Sequence, residues 1–593
     1  MITPMRHATL ICRGDDAESL LERLRAFGAV HLHIHMRDNR EIESLARHLG
    51  HTEHVVKKLE RIETPQGAPP SDDPETLVAH GLRIERDRRG IQQLQARLLQ
   101  EARVWEPFGT IQPDTLRALR RQGLSVEFYR AAESPVDLPP DSAWLTAAPG
   151  FGVAVSTDSL AEVDTAPLKM PARGPARIRE LQNRLDVMTR RHEAELAAAA
   201  TALPALRDYR DALADQLDFL KAREGMDSGE SLRWIEGFVP ESRLDDLQRL
   251  AEDGGVALLL REPEEDDPTP TLLEQNAFVS WIQPVFSFLG VTPGYNEVDV
   301  GWSFLVFLSL FSGMIIGDAG YGLVLLAAVG ALNLFNPASR GKFANLLYLM
   351  GGATVGWGLL TGNLFGIENL PGWMRGLKID ALSDLRDPKP VMNVCFVLGA
   401  AHLTLAHGWN LWRRRRSLQA LAEIGWIGST WTMYCLTGQM VLGWEELPGF
   451  VLPLFLVSVA LIVIFMTPPA KLKEDWVEHM MLPLSFVNNF VDVVSYVRLY
   501  AVGMATFALA SSFNTMILGG DGRGNVLVTG IMMVILILGH ALNFILAGMG
   551  VMVHGIRLNT LEFASHLGLT WSGIPYEPFK RRTPHPDDTT SQT

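Results

Sequence analysis

Residues 483–517 read PLSFVNNFVDVVSYVRLYAVGMATFALASSFNTMI, a continuous apolar stretch interrupted by one acid, Asp492, and one base, Arg498. A helix through all of it would be about 52 Å long at 1.5 Å per residue, against a hydrocarbon core of roughly 30 Å. A helix of that length in a membrane must tilt steeply or protrude. Arg498 lies near the middle of the stretch, where its guanidinium cannot easily snorkel and where burial costs at least a few kcal/mol. Asp492 offers it a poor partner, since six residues at about 100° each set the two roughly 120° apart on the helix. Intramembrane charge of this kind usually marks a function. Asn488, Asn489 and Ser495 add polarity to the same stretch.

Reading outward, apolar runs of spanning length recur at about 300–316, 318–335, 345–366, 390–411, 421–441, 449–467 and 525–560, which with 483–517 gives eight expected spans. An even count returns the C-terminus to the side of the N-terminus. With that side inside, Arg340, Lys342, the run Arg413–Arg416, Lys471, Lys473 and the tail Lys580, Arg581 and Arg582 all face the cytoplasm, as the excess of basic residues in inner loops requires. Glu445 and Glu446 then face out; the outer segment 367–389 mixes Arg375, Lys378, Arg386 and Lys389 with Glu368, Asp380, Asp384 and Asp387. The last span also carries His540, Asn543, His554, Arg557, Glu562 and His566. At roughly 100° per residue Asn543, Gly550, His554 and Arg557 form one stripe within about 60°. Arg557 lies near the end of its span, so ion-pathway and snorkelling readings stay balanced there.

The first half of the 593-residue chain is different. Beyond Val300 there are 17 acids and 18 bases, which leaves 50 acids and 35 bases before it, a charge of −15 against a total of −14. An acidic soluble module, residues 1–290, is therefore joined through 291–299 to a near-neutral membrane module, 300–566, with a cytoplasmic tail at 567–593. No cleavable leader is read at the start, so the first half is expected in the cytoplasm. Three isolated cysteines, Cys12, Cys395 and Cys435, exclude a disulfide scaffold, and the acidic balance argues against nucleic acid. Neither a P-loop nor a nucleophile elbow is present, so nucleotide chemistry is expected to lie outside the chain, and no cofactor is implied.

Within that half, ATLIC at 8–12, an amphipathic helix with Leu20, Leu21, Leu24 and Phe27, and VHLHIH at 30–35 read as strand, helix, strand. A similar unit returns at LRWIEGFV, 232–239, and VALLLR, 256–261, so two small α/β lobes, near 1–36 and 226–262, are expected. His31, His33 and His35 share one strand face, but the outer pair would stand about 13 Å apart at roughly 3.3 Å per residue, leaving one ion only two neighbouring ligands. A polar outer face is the preferred reading. Between the lobes, Ile178, Leu181, Leu185 and Met188, then Ala199, Leu203, Leu206, Leu213, Leu217 and Leu220, keep three-and-four spacing, with Pro204 expected to kink the helix. With return helices at Ile42–Ile62 and Ile91–Val104 they predict a long antiparallel coiled coil over 37–105 and 174–225, which taken alone equally suits a dimerisation coil. Glu264–Asp267 between Pro263 and Pro268 reads as a solvated linker. The fold expected is mostly α, with N-terminal α/β lobes, the coil, and a polytopic helical membrane domain ending in two long tilted helices.

NFVDVVSYVRLYAVGMATFALASSFN at 489–514, above all its SYVRL core, resembles the seventh transmembrane helix of the membrane stator subunit, a or I, of V/A-type rotary ATPases. FSGMIIGDAGYGL at 311–323, GLLTGNLFG at 358–366, and HGIRLNTLEFASHLG followed by YEPF, within 554–579, resemble the same family in the same order, as do LRWIEGFVPESRLDDL and the linker around DPTPTLLEQNAF. The resemblance covers essentially the whole chain, which at 593 residues resembles the shorter prokaryotic form. It implies that Arg498 faces a rotating proteolipid ring, that Arg557 is its partner, and that His554 and Glu562 lie beside the ion path. It also implies peripheral stalk partners, and central-stalk and catalytic subunits further off. The sequence departs from eukaryotic members at Thr506, where they carry His, and Ala547, where they carry Glu, and DVGWSF at 299–304 lacks the usual DPT. Asn488, Asp492, Ser495 and Asn543 are therefore added as local candidates for lining the half-channels, through which either H⁺ or Na⁺ would pass. An independent secondary transporter with a regulatory domain, and a membrane scaffold, are the competing readings.

Overall fold

The computed structural model describes residues 2–34, 39–62, 73–109, 111–131, 141–157, 167–264, 266–367, 376–383, 387–468, 476–518 and 526–582. The protein is mostly helical, at 69%. It divides into two units, one of Ala8–Gly237, Asp245–Leu259 and Pro578–Thr593, the other of Met1–His7, Phe238–Leu244 and Leu260–Glu577. His35, Glu265, Glu368, Arg375, Asp384, Arg386, Lys471 and Lys473 lie outside the described residues.

The N-terminal half opens with β1 (Met5–Arg13), α1 (Ala17–Phe27) and β2 (His31–His33). Helix α1 buries Leu20, Leu21 and Leu24 and stops at Gly28, whose φ of 65° lets its N–H reach back to the Leu24 carbonyl. The long helices follow: α2 (Arg40–Leu59), α3 (Pro74–Trp105) and α4 (Pro113–Arg121). Next come β3 (Ser125–Tyr129), β4 (Ser142–Ala148) and β5 (Phe151–Ser156), then α5 (Pro175–Ala199) and α6 (Leu203–Glu224). Strand β6 (Asp227–Ser228), β7 (Leu232–Pro240), α7 (Leu244–Gly254) and β8 (Ala257–Arg261) complete the half.

The two expected lobes are one. A single sheet runs β2-β7-β1-β8, with β6 on β7, so strands from the two ends of the half alternate. Each strand-helix-strand unit has too little apolar surface to close a core by itself, and interleaving lets the two share one. In β2 the His31 and His33 side chains are half-buried and Leu32 is buried, and among the described residues no cluster of three metal-ligating side chains exists.

Helices α3 and α5 are antiparallel: His80 meets Glu195, Arg88 meets Glu193, Gln95 donates to Asp186, and the Trp105 indole donates to the Arg173 carbonyl. Ile91, Leu98, Trp105, Ile178 and Leu185 fill the space between them. Helix α2 packs with α6, and Leu59, Ile84, Leu196 and Leu206 join a second core. Three expectations change here. The return helix begins at Pro74 rather than near Ile91, Met188 is exposed rather than in the seam, and Pro204 occupies the first turn of a new helix, where its missing N–H costs nothing. Residues 106–173 carry no element expected from the sequence. There β3, β5 and β4 form an antiparallel sheet in which β4 and β5 are joined at Pro149–Gly150, with Gly150 at φ 79°.

In the other unit β9 (Pro270–Thr271) and α8 (Gln283–Leu289) precede α9 (Gly301–Ile316), α10 (Ala319–Phe335), α11 (Lys342–Thr361) and α12 (Lys389–Arg413). Then come α13 (Ala420–Thr437), α14 (Val451–Phe465), α15 (Leu482–Ser495), α16 (Val497–Leu518) and α17 (Val526–Gly550). All eight apolar stretches are helical. Among the described residues four helices are long and apolar enough to cross a membrane: Lys342–Thr361, Lys389–Arg413, Leu482–Ile517 and Leu527–Leu567. Gly301–Ile316, Ala319–Phe335 and Val451–Phe465 are shorter apolar helices.

The motifs at 311–323 and 358–366 belong to one joint. Asp318 caps α10, accepting from the Gly320 and Tyr321 N–H groups, and also accepts from Phe365 and Gly366. Asn363 donates to the Gly317 carbonyl, and a Cβ on Gly358 would lie 2.1 Å from the Ala319 nitrogen. These residues hold two helix ends in backbone contact.

The acidic linker is more ordered than a solvated run. Arg261 forks onto both Asp267 oxygens, at 2.5 and 3.0 Å, and the Glu264 N–H adds a third bond. The guanidinium, helped by that N–H, pulls the Asp267 carboxyl down to about 2. In the segment 291–299, Glu297 accepts from both the N–H and hydroxyl of Thr570. In the tail, Ile574–Pro575 pairs in parallel with β9, Arg581 pairs with Glu22, and Arg582 pairs with Asp218.

Candidate functional site

The long stretch 482–518 is not one uniform helix. Its α-helical bonding is interrupted for one residue, Tyr496, between α15 and α16. Tyr496 is fully buried, its hydroxyl shares a 2.8 Å hydrogen bond with His402 Nδ1, and its ring lies where a Cβ on Gly399 would stand. Arg498 follows two residues on, so the packed tyrosine fixes the start of the arginine's turn.

The last helix departs from α geometry where its polar residues lie. After α17 it is π-helical over Val551–Gly555 and again over Leu558–Phe563, and it ends in an α-helical turn at Ala564–Leu567. Bonding i to i+5 lowers the rotation per residue. The stripe expected through Asn543, Gly550, His554 and Arg557 at 100° per residue therefore does not hold. Asn543 is buried, whereas the Arg557 side chain is 55% exposed.

Glu562 is the centre of the arrangement. Its side chain is 5% exposed, and its Oε1 accepts from Arg498 Nη2 at 2.7 Å, from Ser495 Oγ at 3.4 Å, and lies 3.6 Å from Arg557 Nε. One carboxylate thus joins both arginines, contributed by two different long helices. The partner of Arg498 is Glu562, 64 residues away, and not Asp492. Two buried atoms of this cluster, Arg498 Nη1 and Glu562 Oε2, have no hydrogen-bond partner among the described residues.

The remaining candidates separate. Asp492 pairs with His566 at 3.1 Å. Asn488 is exposed, while its neighbour Asn489 is buried and ties α15 to Ser429 and Thr430 of α13. Asn543 donates to the Tyr321 hydroxyl and the Thr506 carbonyl; the same hydroxyl shares a hydrogen bond with His540, whose other nitrogen reaches Asn514. Half-buried His554 joins neither network. Sequence reasoning passed over His402, His407 and Glu423, three buried polar groups within spans. Their signal was the one used for Arg498, a costly polar side chain in an apolar helix.

No family model matches the chain. The chain is 31% identical over 637 aligned positions to V-type ATP synthase subunit I 1 of Treponema pallidum, covering 98% of this chain and all of that protein. It is 26% identical to V-type ATP synthase subunit I of Borreliella burgdorferi, again over 98% of this chain and all of the relative. A-type ATP synthase subunit I of Methanocaldococcus jannaschii is 26% identical over 58% of this chain and 55% of its own length. With a relative above 30% identity matched end to end, long apolar helices in its C-terminal half and no nucleotide-binding motif, the chain belongs to the subunit I family of V/A-type ATP synthases, as a non-catalytic membrane subunit.

Proposed function

We propose that the chain is the ion-translocating stator of a rotary ATPase, with Arg498 facing a ring of proteolipid subunits and Arg557 as its partner. The observation that carries this reading is the pairing of both arginines with buried Glu562 while Arg498 Nη1 stays buried and unbonded. Arginine stays protonated, with a pKa above about 12, and so carries no proton itself. An opposite charge within about 4–6 Å lowers a carboxyl pKa by roughly one to three units. Arg498 therefore makes an arriving ring carboxylate give up its ion, and the fixed charge blocks direct leakage between two offset half-channels. Asp492, Ser495, Asn488, Asn543, His554 and Glu562 are the polar groups from which those half-channels are drawn.

The antiparallel helices of the N-terminal half suit an arm that binds peripheral stalk subunits and resists torque, with catalytic and central-stalk subunits coupled through the ring. The spans lie in the cell membrane among lipid, with the N-terminal half and the C-terminus cytoplasmic. Arg498→Ala in the reconstituted complex is expected to abolish ATP-coupled ion pumping with the complex still assembled. Coupled transport at the normal rate would overturn the proposal.

A further inference from the structure

A chain of four titratable side chains crosses the helices beside the arginine cluster. Glu423 Oε2 and His407 Nδ1 are 2.8 Å apart, His407 Nε2 and His566 Nδ1 are 2.8 Å apart, and His566 Nε2 and Asp492 Oδ2 are 3.1 Å apart. The His407, Glu423 and His566 side chains are 6%, 7% and 9% exposed. At one end Arg414, half-exposed in the basic run Arg413–Arg416, donates to Glu423 Oε1 at 3.2 Å. At the other, Ser495 donates to the Asp492 carbonyl and to Glu562, which holds Arg498.

Resting on the stator reading, we propose that His407 and His566 form a proton relay between Glu423 and Asp492, and that the ion this subunit passes is H⁺.

Three consecutive hydrogen bonds need three protons. A neutral imidazole has one donor and one acceptor, and an ionised carboxylate only accepts. With both carboxylates ionised and both imidazoles neutral only two protons are available, so one bond lacks its proton. One added proton satisfies all three. With Glu423 protonated, its O–H donates to His407 Nδ1, His407 Nε2–H to His566 Nδ1, and His566 Nε2–H to Asp492. When each proton crosses its own bond, one O–H and two N–H bonds break and two N–H and one O–H bonds form. The net change is one proton moved from Glu423 to Asp492, with both rings neutral before and after. Both rings finish in the opposite tautomer, so each must turn over before the next proton passes. A sodium ion has no such route, because the two imidazoles touch nitrogen to nitrogen and hard cations take oxygen ligands.

The test uses membrane vesicles holding the whole complex, energised with ATP, with acidification followed by a pH-sensitive dye in sodium-free medium and ²²Na⁺ uptake measured in parallel. Rates are expressed per assembled complex. Wild type is expected to acidify without sodium, and His407→Gln and His566→Gln each to lower the rate at least tenfold. Glutamine keeps a donor and an acceptor for tying the helices but passes no proton, so a merely structural role predicts little change. Gln variants pumping at the wild-type rate while Arg498→Ala is inactive would overturn the relay and leave the stator reading standing. Wild-type uptake of ²²Na⁺ without acidification would do the same. Normal pumping by Arg498→Ala would overturn both.

Discussion

Replacing Glu562 with Met removes the one acceptor that Arg498 and Arg557 share. Charges about 4 Å apart at an effective dielectric of 20 interact by about 4 kcal/mol. Deleting one member of a buried pair costs about 3–5 kcal/mol, because the other is left buried and unpaired. The 2.7 Å contact and the 5% exposure of Glu562 place this pair in that class. Arg498→Met should also cost several kcal/mol, since it leaves the buried carboxylate with only the longer Arg557 and Ser495 contacts at 3.6 and 3.4 Å and with its Oε2 without a partner among the described residues. Replacing both with Met removes the desolvated charges together and is expected to be close to neutral. The coupling in the cycle is therefore several kcal/mol. For a unit of this size, at roughly 2 °C per kcal/mol, each single variant should melt about 6–10 °C lower and the double variant near wild type. The protein carries its own reporters for this, since Cys395 and Cys435 are free and buried in the same unit as the pair. With Cys12 replaced by Ala, a thiol-reactive fluorophore reads the unfolding of that unit alone. Single variants melting within about 1 °C of wild type, or strictly additive shifts, would refute the coupling. Transport should be lost in the double variant even though its stability returns, because Arg498 is gone.

Two other outcomes are expected. Asp267 has a folded pKa of about 2, below its usual value of 3.8, so its contribution to stability is complete above pH 3.8 and is lost as pH falls through about 2; thermal melts of wild type and Asp267→Asn should differ at pH 5 and converge near pH 2. Gly358→Ala would set a Cβ 2.1 Å from the Ala319 nitrogen, a backbone atom that cannot give way, and should destabilise by about 3 kcal/mol or more, whereas Gly352→Ala, with nothing within 4 Å, should melt like wild type.

The apolar stretches were legible because a span needs a long run of one character, and each of the eight proved helical. Arg498 was legible for the converse reason, as a charge where charge is expensive. Its partner was not. Glu562 lies 64 residues away, and the π-helical turns after Gly550 change which residues share a face, so arithmetic at 100° per residue misassigned the stripe. The relation between the two strand-helix-strand units was equally hidden. Local alternation reveals a strand but not its neighbour, and β7 between β2 and β1 is a long-range fact. The sheet at 125–156 left one local sign, the Pro149–Gly150 turn between two short runs. Asn488 and Asn489 show the finest grain: one position along α15 separates an exposed amide from one that holds two helices together.

The interleaved sheet also sets a schedule for synthesis. Strand β1 ends at Arg13, and the strand that pairs beside it, β7, begins at Leu232. At about 5–20 residues per second the ribosome needs roughly 10–40 s to supply the roughly 220 residues between them. Throughout that interval β1 has an unpaired edge and an apolar face, the arrangement most open to association with other chains. Helices α2 and α3, made meanwhile, can already pack on each other through Val55 and Gly81, but their α6 and α5 partners emerge only later, and the spans after Val300 are still unmade. The N-terminal half is thus complete as a fold only shortly before the first membrane helix leaves the ribosome, which couples its folding to the start of insertion.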